Sequence, residues 1–236
     1  MNLETTTNAG LQEFVLGTVL KRYPKSGERA IDLGAGTGRF ALLLHRMGWD
    51  VIGADKDSEA FRAPIPFVKV DLDAPCFDRE LGQSGFSLVT AIEVIEHMES
   101  PIGFLRNSCR LLKPGGVMVF TTPNVDSVPA RIKFLLTDKI RMMDDMSEPT
   151  HISPVFWDLL VRQLLPRSGL ELVQHRLFPE RGFQLTRRRF SVPVRMLAGF
   201  FGGECVHGDN HVIVVRPRCD RSTTLDDCTV QASTHG

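Results

Sequence analysis

The sequence predicts an α/β fold: a mostly parallel sheet of seven strands with helices on both faces. Two observations carry this prediction. Short apolar runs alternate with stretches of helical spacing from Arg29 to Thr122, and such alternation builds a parallel sheet covered on both sides. The first run also enters a glycine-rich turn and then a helix, the arrangement with which these sheets hold nucleotides. A chain of 236 residues is long enough for one domain of this kind with a full core.

In chain order, Leu11, Phe14, Val15, Thr18 and Val19 share helical spacing, so an amphipathic helix is expected before the first strand. "RAIDL" (29–33) is the first strand and "RFALLLHRM" the helix that follows, ending at Gly48. "DVIGAD" (50–55), "FVKVDL" (67–72), "FSLVTAI" (86–92) and "VMVFTT" (117–122) are the next four strands. Before the last of these, Ser100 caps a helix and Pro101 fits its first turn. Ile102, Leu105, Cys109 and Leu112 then fall on one face, and Lys113-Pro114-Gly115-Gly116 stops the helix. After Thr122 the rhythm breaks into a long excursion. It resumes with a helix over 154–165, a strand at "LELVQHRL" (170–177) and a last strand at "HVIVVRP" (211–217). Residues 1–217 are expected to form a single domain, with an inserted lid or acceptor segment at about 125–153. The Ser/Thr/Asp-rich stretch 218–236 is expected to be a disordered tail.

Twenty-eight basic and 28 acidic side chains cancel, which removes any whole-molecule attraction for nucleic acid or anionic lipid. "MNLETTTNAG" is polar and unlike a signal peptide. No apolar run approaches the roughly 20 residues of a membrane span. The five cysteines (Cys76, Cys109, Cys205, Cys219 and Cys228) show no CxxC spacing and read as reduced thiols of a cytoplasmic protein.

The glycine turn carries the first chemistry. Gly34, Gly36 and Gly38 follow Asp32, and Arg39 stands where a dinucleotide fingerprint has its third glycine. A pyrophosphate beside Asp32 would be repelled, which disfavours a nicotinamide-dependent oxidoreductase. A cationic ligand would be attracted. S-adenosylmethionine, with a sulfonium, an ammonium and no phosphate, suits that carboxylate. Asp55, at the end of the second strand with Lys56 after it, can accept from ribose hydroxyls. Asp71 and Leu72 end the third strand, where the acid can accept from an adenine amino group and the leucine can pack on its ring.

The series "DLGAGTG", "GADKD", "VDL", "FSLVTAIEVIEHMESP" and "LLKPGGVMVFTTPN" resembles class I S-adenosylmethionine-dependent methyltransferases. Within that family it is most similar to the ubiquinone-biosynthesis-type O-methyltransferases, which share the "EVIEH" sequence after the fourth strand. The resemblance implies a Rossmann-like fold, S-adenosylmethionine as cofactor and S-adenosylhomocysteine as product. It implies that Asp32, Gly34, Gly36 and Gly38 surround the methionine part, Asp55 and Lys56 the ribose, and Asp71 and Leu72 the adenine. Ala91 and Glu93 would line the mouth where the methyl group is transferred.

In "EVIEH", Glu93, Glu96 and His97 stand at i, i+3 and i+4 and share a face if they form a helical turn. A hydroxyl acceptor must lose a proton, and an imidazole titrates near neutrality. His97 is therefore the expected base, with Glu93 and Glu96 orienting it or the acceptor. The acceptor is expected to be a small-molecule, sugar or lipid-type hydroxyl. Small-RNA 2′-O-methyltransferases carry a similar ExxEH and a downstream histidine that hold a divalent cation. By that resemblance Glu93, Glu96, His97 and His151 form an alternative metal set, although the sequence after the fifth strand departs from the RNA enzymes, and the primary expectation is no metal. A second alternative is a non-catalytic protein that keeps the cofactor as a structural ligand.

Residues 128–146 read first as a lid packed on their own domain, with a dimer contact or a peripheral membrane contact as the alternatives. Asn124 is expected near the acceptor. Arg187, Arg188 and Arg189, with Arg181 and Arg195 nearby, read as a solvated edge or a phosphate contact. Trp49 and Trp157 are expected in the core and not as stacking platforms.

Overall fold

The computed structural model describes residues 7–23, 27–143, 150–185 and 205–218. The expected tail beyond Arg218 and the arginine run at 187–189, with Arg195, lie outside them. Seven strands form one sheet in the order β3-β2-β1-β4-β5-β7-β6. They are β1 Arg29–Leu33, β2 Asp50–Asp55, β3 Phe67–Lys69, β4 Phe86–Ile92, β5 Leu112–Pro123, β6 Leu170–Phe178 and β7 Asn210–Pro217. β1 to β5 pair in parallel. β7 runs antiparallel between β5 and β6.

Strand residues alternate between two cores, as the pleat requires. Ile31, Val89, Met118, Phe120, Ile213 and Val215 face one core, closed by α3 (Phe77–Glu80) and α4 (Pro101–Leu111). Ala30, Leu88, Val117, Val119, Val212 and Val214 face the other. That side is closed by α2 (Arg39–Arg46) and by a helical segment that runs from α1 (Leu11–Phe14) through a π turn, Val15–Val19, to a 3-10 turn, Leu20–Arg22. Trp49 is buried in this second core, as expected. α4 begins as the sequence indicates: the Ser100 hydroxyl accepts from the Gly103 N–H at 3.2 Å and Pro101 opens the helix.

Several boundaries differ from expectation. β5 starts at Leu112, which pairs with Phe86 before a register shift, so Lys113–Gly116 form a bulged strand entrance in place of a separate turn. β3 ends at Lys69. The helix expected over 154–165 starts as α6 (Trp157–Leu159), widens into a π turn at Leu160–Leu164 and ends as α7 (Leu165–Arg167). Pro166 lacks the N–H that a regular ladder needs there. Of the excursion after β5, α5 (Val128–Thr137) packs through Val128 and Ile132 on Val206 and Phe183. It leaves Phe134, Leu135 and Leu136 exposed. No helix among the described residues is long and apolar enough to cross a membrane. Cys76 is disulfide-bonded, which corrects its reading as a reduced thiol.

Candidate active site

The strand order reverses between β1 and β4, and the crevice at their carboxyl ends is where such sheets bind ligands. β1 delivers Asp32 there and then turns sharply. Gly34 has φ 67°, and a Cβ on it would lie 2.5 Å from Val94 Cγ2. Gly36, at φ 50°, differs: a Cβ there would meet no protein atom within 4 Å. The turn thus presents bare backbone to open space, which is what a closely approaching ligand needs. Gly38 is the N-cap of α2 and packs against Phe61 and Ala63.

Asp32 is buried, and its Oδ1 accepts from the Thr90 hydroxyl at 2.6 Å. Burial pushes its carboxyl up to about 7; the bonds from Thr90 and the Ala41 backbone oppose the shift, and Asp55 adds a smaller upward push. Asp55 Oδ2 accepts from the Gly36 N–H at 2.9 Å and its Oδ1 from the Asp57 N–H at 3.0 Å. Its carboxylate therefore braces the glycine turn from the end of β2. Asp71 is exposed and Leu72 buried just past β3.

The expected helical turn at "EVIEH" is not formed as drawn. Only Ile95–His97 are helical, in a 3-10 turn, and Glu93 adopts a left-handed φ of 56°. Glu93 therefore leaves the common face. Its N–H donates to Thr121 Oγ1 at 2.9 Å. Its Oε1 accepts from Asn210 Nδ2 at 2.7 Å and its Oε2 from the Asn8 N–H at 3.3 Å. Asn8 Nδ2 in turn donates to Asn210 Oδ1. Glu96 is fully buried, and its carbonyl accepts from the Ile152 and Ser153 N–H groups. His97 Nδ1 lies 3.1 Å from the Thr150 carbonyl and His151 Nδ1 2.7 Å from that of Met142. A carbonyl only accepts, so both Nδ1 atoms carry the proton and both lone pairs sit on Nε2. The two rings meet edge to face at 4.6 Å.

A cavity of about 540 Å³ joins these parts. Asp32, Gly34 and Gly36 line it together with Glu93, His97 and His151, and Asn8, Gln12 and Arg39 are also on the lining. Gly38, Asp55, Lys56, Asp71, Leu72, Ala91 and Glu96 are not on that lining. For the alternative metal set, Glu96, His97 and His151 bring ligand atoms within 4.8 Å of one another, whereas Glu93 is not in the group. Three of the four residues of that alternative set are thus brought together.

Asn124 does not reach the cavity. Its Nδ2 donates to the carbonyls of Cys205, His207 and Gly208, so it fastens the loop before β7. Trp157 packs against the first core, as expected, and its indole lies 3.8 Å from the His175 ring. Sequence reasoning missed Asn8, Thr121 and Asn210. Asn210 pairs with Pro123 across an antiparallel ladder, so it sits at the edge where the parallel strands end. The direction of β7 was the signal that could have found it. Nothing in the sequence marks Asn8.

Residues 8–175 match the methyltransferase-domain family. Among curated proteins, the ubiquinone biosynthesis O-methyltransferase of Roseobacter denitrificans is 36% identical over 109 residues, 43% of this chain and 43% of its own. The protein of the same name from Vibrio cholerae is 25% identical over 166 residues, 66% of this chain and 63% of its own. The chain therefore spans 43% to 63% of the length of these relatives. Among solved structures, a SAM-dependent methyltransferase from Archaeoglobus fulgidus superposes with a TM-score of 0.57 at 18% identity, over 86% of this chain and 93% of that one. That likeness shows the fold.

Proposed function

Because this chain belongs to the methyltransferase-domain family, we propose that it methylates a hydroxyl of a small-molecule, sugar or lipid-type acceptor with S-adenosylmethionine as donor. One observation carries the reading: a single cavity runs from the bare backbone of Gly36 and the buried Asp32 to the imidazole of His97. The residues fit the cofactor, since Asp32 is an acid aimed into a cavity and Gly36 leaves its approach unobstructed. The cofactor supplies an electrophilic methyl group. Asp32 offers negative charge to its cationic end. His97 Nε2 takes the proton of the acceptor hydroxyl, while the Thr150 carbonyl holds the ring in the tautomer that makes this possible. Glu93, fixed by Asn210 and the Asn8 backbone, shapes the mouth between the two ligands. The relatives' names, O-methyltransferases of ubiquinone biosynthesis, support a hydroxyl as acceptor. The exposed Phe134, Leu135 and Leu136 support keeping lipid-type acceptors in the set.

The test is formation of S-adenosylhomocysteine over a panel of catechol, sugar and lipid hydroxyl acceptors. The His97→Gln variant is expected to keep its calorimetric affinity for S-adenosylmethionine within about threefold and to lose about 10²-fold or more in turnover. Unchanged turnover would remove His97 as the base. No product with any acceptor would favour a protein that holds the cofactor without using it.

A second reading rests on the Glu96, His97 and His151 cluster. A divalent cation held there would orient vicinal hydroxyls, as on a terminal RNA ribose, and lower the pKa of one of them. Loss of turnover on chelation, restored by Mn²⁺, would select it.

A further inference from the structure

A second group of ligating side chains lies away from the cavity. His211, on β7, and His175, on β6, occupy diagonal positions of the antiparallel ladder: His211 pairs with Leu177 and His175 with Ile213. Both side chains belong to the face that carries Ile213 and Val215. Trp157 stacks on both rings, at 3.8 Å from His175 and 5.4 Å from His211, nearly parallel to the latter at 9°. The Trp157 backbone N–H donates to Asp126 Oδ2 at 2.7 Å, which anchors the start of the helix that carries the indole. The stack sets the two imidazoles so that His175 Nε2 and His211 Nδ1 lie 3.0 Å apart. Cys205, buried and outside any disulfide, completes the group. One ligand atom from each of the three residues lies within 4.8 Å of those of the other two.

The surroundings of His211 are unusual. Its ring is buried, and among the described residues its Nε2 has no hydrogen-bond partner. If Nδ1 donates to His175, Nε2 is a buried lone pair with no donor; if Nδ1 accepts, Nε2–H is a buried donor with no acceptor. Either tautomer leaves Nε2 unsatisfied, and metal on Nδ1 would fix the Nε2–H tautomer without satisfying it. What points to a site is the grouping and spacing of the three ligand atoms.

We propose that His175, Cys205 and His211 form a zinc site, distinct from the methyl-transfer cavity and independent of the function read there. The donor set is two imidazoles and one thiolate, which suits a borderline-soft cation and not Mg²⁺ or Ca²⁺. In a tetrahedral site with Zn–N of about 2.0 Å, two ligating nitrogens stand about 3.3 Å apart. The 3.0 Å contact is already near that separation. Binding displaces the thiol proton of Cys205 to solvent, the imidazoles coordinate as neutral rings, and water or an exogenous anion takes the fourth position. The site would tie the loop before β7 to β7 itself and to the edge strand β6, beside α6.

The test uses the untagged full chain, stripped with a chelator and titrated with Zn²⁺ and, separately, with Co²⁺. One Zn²⁺ per chain is expected at this site, and the Co²⁺ form is expected to show the thiolate-to-metal charge-transfer absorption. The Glu96, His97 and His151 cluster has no thiolate and cannot give that band. Cys205→Ser should abolish the band. His175→Gln, at a half-exposed position, should weaken Co²⁺ affinity at least tenfold with the fold intact. Absence of the band in the unaltered chain, or its persistence in Cys205→Ser, would overturn the proposal.

Discussion

Asp32 shows how one side chain can be costly to the fold and useful to the ligand. Its carboxyl, buried under Thr90 and the start of α2, titrates at about 7 against a reference of 3.8. An acid with a raised folded-state pKa opposes folding. The opposition is absent below about pH 4, grows as pH rises towards 7, and is constant above. Asp32→Asn keeps an acceptor for the Thr90 hydroxyl and removes the buried charge. Without cofactor it should melt together with the unaltered protein near pH 4 and be the more stable by at least about 1 kcal/mol at pH 7.5. Its affinity for S-adenosylmethionine should fall about tenfold or more at pH 7.5, while that of the unaltered protein should climb between about pH 5 and 7. Thermal melts and calorimetry across this range check both. A variant less stable at pH 7.5 would show that Asp32 is charged and compensated before the ligand arrives. The sequence showed the acid and the glycines, because both are local. It did not show the left-handed Glu93, which a helical reading of ExxEH misplaces.

At the scale of elements, part of the cavity lining comes from a segment with few strong local signals. α5 ends at Thr137, and the chain returns to place Met142 on the cavity lining, next to Arg141 in the chain. Arg141 Nη2 donates to Asp209 Oδ1 at 2.9 Å, both side chains being buried. Asp209 also accepts from the Gln184 and Leu185 N–H groups. This one carboxylate, just before β7, thus joins the segment after α5 to the loop after β6. Arg141→Met leaves Asp209 buried without its cation and should cost about 2–4 kcal/mol, read from the urea midpoint. The Met142 carbonyl orients His151, so KM for the acceptor should rise more than kcat falls. A surface change such as Leu135→Ser, at a residue 82% exposed, should stay within about 0.5 kcal/mol. The strands were legible because apolar runs bounded by glycine and acids have few other uses. The helix before β6 starts later than its pattern suggests, for reasons outside that pattern. The Ile152 and Ser153 N–H groups are committed to the Glu96 carbonyl, and Asp126 takes the first N–H of α6. Pairings of this length, like Asn8 with Asn210, leave no trace in spacing.

At the scale of the whole molecule, the sheet separates two cores and brings β1, β2 and β4 to one carboxyl edge. That edge holds the Asp32 and Asp55 carboxyls, the open backbone of Gly36 and a cavity of about 540 Å³, within the usual range for small-molecule sites. A likeness at 18% identity shows that the fold is shared and leaves the ligand to be decided by charge. A ligand that binds the native state alone stabilises it by about 2.7 kcal/mol at a hundred times its Kd. For a chain of this size that corresponds to a rise in Tm of about 5–10 °C. S-adenosylmethionine and S-adenosylhomocysteine, each titrated to saturation, should give a shift of this order. NAD⁺ should give none, because its pyrophosphate would meet Asp32 and the place of the third dinucleotide glycine is filled by Arg39, which bonds to Gln12 and Glu13. The comparison reads the fold and the charge pattern together. A shift with NAD⁺ and none with the sulfur compounds would mean that the acids at this edge serve the structure and not a cationic ligand, and the methyl-transfer reading would fall with them.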